Sequence, residues 1–180
     1  MGLRKANAYS KKYARPYTRK SKKKSKSYIK TVPLQKVVKF EMGNLEAFKK
    51  GDYIFLLRLV SKQDVQIRDN ALEAARQVVH KDLELYSLGN YYLAVKKYPH
   101  HIYRENRMYS GGSKGERVND GMRNSFGTAM GRAAFIKEGE DVFVTAFADK
   151  KFISVARVAY NKAKSKLPCS TKIVFEMLKK

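Results

Sequence analysis

Residues 53–60 read YIFLLRLV, and residues 70–88 read NALEAARQVVHKDLELYSL. The first is a near-continuous apolar run of strand length, which predicts a strand covered on both faces. The second places Leu72, Ala75, Val79 and Leu83 at helical spacing on one face, with Arg76, His80 and Lys81 beside it, and Gly89 is suited to stop the helix. Outward from this pair, Val37, Val38, Phe40 and Met42 suggest a short strand, and Asn90–Pro99 (NYYLAVKKYP) another. Arg132–Ile136 and Val142–Phe147 read as two strands across a Lys137–Asp141 turn. Asp149 is placed to cap a helix over about 150–166 whose apolar face holds Ile153, Ala156, Val158 and Tyr160, with Pro168 ending it. Lys172–Met177 reads as a final strand. No regular βαβ series emerges. The fold class expected is α+β: a two-layer sandwich with a mainly antiparallel sheet and two helices.

Two segments fall outside that core. Residues 1–33 form a basic extension. Twelve Lys and Arg occur in residues 1–30, no acid precedes Glu41, and Tyr9, Tyr13, Tyr17 and Tyr28 are interleaved. Cations there suit phosphate, and flat rings suit unpaired bases. The run from Lys20 to Lys26 has almost nothing to bury, so it is expected to order only on a partner. Residues 108–131 (MYSGGSKGERVNDGMRNSFGTAMG) hold six glycines and read as a long irregular loop. The folded core is expected over 34–180.

The chain has 180 residues with 39 Lys and Arg against 16 Asp and Glu, a net charge of +23. Such an excess repels itself unless a polyanion neutralises it, so nucleic acid is the expected partner. Cys169 is the single cysteine, which excludes an intrachain disulfide and fits a reducing cytosol. The N-terminus lacks the apolar segment of a signal peptide, and the longest apolar stretch, Tyr53–Leu57, is too short to span a bilayer. No membrane partner, small-molecule substrate or cofactor is expected.

Catalytic and metal readings find little. His100 and His101 are adjacent, but no third ligand stands at a metal-site spacing. On a strand they would face opposite ways, one to the core and one outward, where an imidazole suits RNA phosphate or 2′-OH groups. Gly111–Gly115 (GGSKG) lacks the order of a phosphate-binding P-loop, yet glycines let main-chain N–H groups approach an anion. No nucleophile elbow and no carboxylate pair stands out, so neither catalytic residues nor metal ligands are assigned. A DNA-compacting protein and an RNA-modifying enzyme are the competing readings. The first lacks a helix-turn-helix and the second a cofactor pocket.

Five stretches resemble a known family in family order: Arg15–Arg19 (RPYTR), Gln66–Arg76 (QIRDNALEAAR), Tyr98–Met108 (YPHHIYRENRM), Val118–Gly127 (VNDGMRNSFG) and Ala163–Ile173 (AKSKLPCSTKI). The chain is similar to the universal large-subunit ribosomal protein family called L-sixteen in bacteria and L-ten-e in archaea and eukaryotes, most closely its archaeal form. The resemblance implies a structural, non-catalytic protein of the cytoplasmic ribosome. It would bind large-subunit rRNA near the central protuberance, beside neighbouring ribosomal proteins and the small ribosomal RNA there. It would help to position transfer RNA in the A and P sites. It implies rRNA contacts for Arg15, Tyr17, Arg19, His100, His101, Arg104, Arg107 and Arg123. For Arg68 and Arg76 it implies contacts to RNA or to polar groups of the core. Arg4, Lys5, Lys22, Lys23 and Lys24 join them as tail cations. The family's extended loop toward the peptidyl transferase centre corresponds to about 109–121, which places Ser110, Gly111, Gly112, Ser113, Lys114, Gly115 and Arg117 near transfer RNA.

Overall fold

The computed structural model describes residues 32–105 and 128–178. Their elements are β1 (Glu41–Gly43), α1 (Leu45–Lys50), β2 (Phe55–Ser61), β3 (Val65–Arg68), α2 (Asp69–Ser87), β4 (Tyr92–Val95), β5 (His101–Glu105), β6 (Thr128–Ile136), β7 (Asp141–Phe147), α3 (Phe152–Lys164) and β8 (Thr171–Met177). Five strands form one sheet in the order β1-β4-β7-β2-β8, and three form a second in the order β3-β6-β5. Every pairing among these strands is antiparallel. The architecture is the expected α+β.

The YIFLLRLV run supplies β2, the strand between β7 and β8. Leu57 and Leu59 point to the helix side and are essentially fully buried. There they meet Leu72, Ala75, Val79 and Leu83 of α2 and Ala156, Ala159, Tyr160 and Ala163 of α3. Burying each such leucine contributes about 1.5–3 kcal/mol, so this single layer of contacts dominates the stability. Tyr160 is sealed in the layer, and its hydroxyl sits 3.2 Å from Thr145 Oγ1 and 3.3 Å from the Leu57 carbonyl. Burial pushes its phenol above the ordinary tyrosine range. On the opposite face of the sheet Phe48 of α1 stacks on Tyr92 at 4.0 Å, beside Tyr53, Ala94 and Ala146.

Local chemistry explains the helix ends. Asn44 caps α1, its Oδ1 accepting from the Ala47 N–H at 2.9 Å, and Gly51 ends it at φ +83°. At the end of α2 the left-handed turn begins one residue before Gly89, at Leu88 with φ +40°.

Several expectations need correction. A third helix, α1, and strands β3 and β5 have no counterpart among the elements expected from the sequence. The strand sought around Val37–Met42 is confined to β1, with Val37 buried and Val38 exposed. Residues 128–131 belong to β6, not to a loop, because Thr128, Ala129 and Gly131 pair with Glu105, Arg104 and Tyr103. Asp149 does not cap α3 with its side chain; it accepts the Phe152 N–H through its main-chain carbonyl. Val158 is exposed, and Ala159 and Ala163 complete the buried face of α3. The basic extension as far as residue 31, and the glycine-rich segment 106–127, lie outside the described residues.

Candidate nucleic-acid interface

The site is built on the segment that follows the basic extension. Two carboxylates of α2 hold this segment against the helix. Asp69 Oδ2 accepts the Lys36 N–H at 3.0 Å, and Glu73 Oε2 accepts the Val38 N–H at 3.3 Å. Residues 36 and 38 are two apart, so an extended chain offers both N–H groups to the same side. Burial raises the Asp69 carboxyl above its usual range, only partly offset by the N–H groups of Lys36 and Asn70. Burial also acts to raise Glu73, but hydrogen bonds from Arg76, Gln77 and the Val38 N–H outweigh it and leave the carboxyl below its usual range.

A third tie comes from β6. Arg132 Nε donates to the Pro33 carbonyl at 2.7 Å, and its Nη1 donates to the Tyr98 hydroxyl at 3.2 Å. One guanidinium thus joins the last residue of the extension to the first of YPHHIYRENRM. Tyr98 is the middle ring of a ladder, 5.2 Å from Phe40 and 4.4 Å from His100 between centroids. The exposed cations Lys36, Lys39 and Lys96 flank these rings in sequence.

The two histidines divide, one outward and one to the core, although only His101 lies on a strand, β5. His100 is exposed. His101 is buried against Phe135 at 4.5 Å, and burial lowers its imidazole below the usual range. Among the described residues no group of three His, Cys, Asp or Glu side chains could hold a metal ion. Cys169 packs partly buried against the core, and burial raises its thiol.

Arg76 and Arg68 are buried. Arg76 is committed inside the protein: Glu73 takes its Nε and Nη2, and Met42 Sδ lies 3.0 Å from its Nη1. Of the two contacts the resemblance allowed it, Arg76 makes the core-polar one. Arg104 lies on β5, where its backbone pairs with Ala129. The other proposed contacts lie outside the described residues: Arg4, Lys5, Arg15, Tyr17, Arg19, Lys22, Lys23, Lys24, Ser110, Gly111, Gly112, Ser113, Lys114, Gly115, Arg107, Arg117 and Arg123. Sequence reasoning missed Phe40 and Arg132. Arg132 carries no motif of its own and becomes legible only when β6 is laid beside β5.

The family model described as ribosomal protein L16p/L10e matches residues 15–174. The large ribosomal subunit protein uL16 of Metallosphaera sedula is 44% identical over 157 residues, 86% of each chain. Those of Sulfolobus acidocaldarius and Staphylothermus marinus are 41% and 42% identical, again over 86% of each chain. No helix among the described residues is long and apolar enough to cross a membrane. A match over nearly the whole chain, with archaeal relatives of equal reach, places this protein in the L16p/L10e family of ribosomal proteins, structural constituents of the ribosome and not enzymes.

Proposed function

We propose that the chain binds large-subunit rRNA near the central protuberance, beside neighbouring ribosomal proteins and the small ribosomal RNA, and helps to position transfer RNA in the A and P sites. One observation supports this reading most. Arg132 joins Pro33, where the basic extension ends, to Tyr98, where the histidine motif begins, on the sheet whose strands β5 and β6 flank the glycine-rich segment. Two segments remote in sequence, the one that ends the extension and the one that begins the histidine motif, are therefore tied together. The extension brings cations, the motif brings rings and arginines, and the glycines allow close main-chain approach to an anion. The core then acts as a rigid mount for all three.

Phosphate neutralisation supplies most of the affinity, and shape supplies the register. The test is sedimentation of a native lysate at low and then high salt, with the protein followed by mass spectrometry. It is expected to run with the large subunit and to stay there at moderate salt. Remaining at the top of the gradient, or shedding at mild salt, refutes the reading.

A further inference from the structure

We infer that the Phe40–Tyr98–His100 ladder is a seat for one unpaired ribosomal RNA base, which stacks on the exposed side of His100; the inference rests on the rRNA-binding reading above. The ladder has a covered end and an open end. Phe40 packs against the core cluster. Tyr98 is 39% exposed, and His100 is exposed beyond it. Tyr98 lies over Phe40 at an interplanar angle of 28°, and His100 tilts against Tyr98 at 49°. His100 ends the ring series as a solvated ring, and a looped-out base is the flat, sequence-tolerant partner that RNA offers. A paired duplex does not offer one, because its base faces are already covered by their neighbours.

The rings are held before any RNA arrives. Arg132 fixes the Tyr98 hydroxyl while anchored on Pro33. The His100 N–H donates to the Tyr98 carbonyl at 2.9 Å across Pro99, which is buried and has a locked φ. Little ordering entropy is then lost when a base docks. Lys36, Lys39 and Lys96 are exposed in the segments that carry the rings and add the positive charge that suits an RNA backbone. A phosphate-only contact would need these cations but would leave the ladder without a role.

The test uses assembled large subunits that carry the full chain as wild type, His100→Ala, His100→Phe, Tyr98→Ala or Tyr98→Phe. Nucleotide mobility is read along the whole large-subunit rRNA by 2′-hydroxyl acylation, and co-sedimentation is followed in parallel. With His100→Ala, the reactivity of one nucleotide or a few adjacent ones should rise about ten-fold, while the protein still sediments with the subunit. Tyr98→Ala should mobilise the same nucleotide. His100→Phe and Tyr98→Phe, which keep the rings, should leave it close to wild type. If His100→Phe matches His100→Ala, the histidine acts through its nitrogens and the stacking proposal fails. If every variant sediments normally with an unchanged reactivity map, the proposal fails while rRNA binding stands. A wild-type chain that does not sediment with the large subunit overturns both.

Discussion

Arg76 grips Glu73 one turn away on α2 with two hydrogen bonds, 2.7 Å from Nε to Oε2 and 2.5 Å from Nη2 to Oε1. Both residues are only 8% exposed. The EAAR signature of this helix is therefore a buried ion pair that also receives the backbone of Val38. Removing one partner leaves the other charge buried and alone. Arg76→Ala is expected to lower the unfolding free energy by about 3–5 kcal/mol in urea titrations of the full chain. The double variant Glu73→Leu, Arg76→Leu should lose much less. A loss below about 1 kcal/mol for Arg76→Ala would show that the pair is not buried in solution.

Gly43 and Gly51 together separate two effects: Gly43 combines a positive φ with a steric clash, and Gly51 has the positive φ alone. At φ +84° a side chain is strained there, and a Cβ would also lie 2.0 Å from the Tyr91 carbonyl oxygen. That oxygen already accepts the Asn44 N–H at 2.8 Å, so it has nowhere to move. Gly51 has nearly the same backbone, φ +83°, with nothing within 4 Å of the added carbon. Gly51→Ala is expected to cost about 1 kcal/mol and Gly43→Ala at least about 3 kcal/mol, measured side by side by thermal unfolding. Equal costs would mean that conformation alone decides at both sites.

His101 should make stability depend on pH. Burial disfavours its charged form, so its folded pKa lies below the unfolded value of about 6.5. Its contribution is then complete above about pH 6.5 and is lost as pH falls from there toward the folded pKa. Stability measured between about pH 7.5 and 5.5 should fall for wild type and fall less steeply for His101→Phe, which keeps the contact with Phe135. Parallel curves would place the imidazole in water.

Arg132→Ala unties Pro33 and Tyr98 together. The Asp69 and Glu73 ties remain, so the fold should persist with a loss of roughly 1–3 kcal/mol. Incorporation into large subunits should suffer more than that loss explains, because the extension and the ring ladder no longer share an anchor. Competition between wild type and variant during subunit assembly measures this. Equal incorporation would reduce Arg132 to a packing residue.

Shortening the glycine-rich segment between Gly111 and Gly115 addresses the transfer-RNA part of the proposal. Subunits should assemble at nearly normal yield, and aminoacyl-tRNA accommodation should slow. Unchanged accommodation kinetics would remove this segment from the transfer-RNA path.

The long elements were legible because burial writes a period into them. Leu72, Ala75, Val79 and Leu83 share a face of α2, and YIFLLRLV supplies strand β2. That strand is fully buried only on its Leu57 and Leu59 face, while Leu56, Arg58 and Val60 on the other face are half-buried and not fully covered as expected. Shorter elements carry too few residues for a period. Strand β3 is buried at all four positions, Gln66 and Arg68 included, so it shows no alternation and its polar residues suggest a loop. Thr128–Gly131 looked like loop for its glycine and small residues, yet tertiary pairing with β5 overrides that local preference. The site divides in the same way. Tyr98 and His100 stand in one motif and could be read together. Phe40 and Arg132 join them only through the docking of distant strands.

Glu105 pairs with Thr128 at the end of the three-stranded sheet. The chain therefore leaves and re-enters the core across a single strand spacing, about 5 Å. The entropy of closing such a segment grows only with the logarithm of its length, about 0.6 kcal/mol per doubling. The closure term therefore puts little constraint on the length of chain between Glu105 and Thr128. Selection on the length of this segment is to that extent decoupled from selection for a chain that folds.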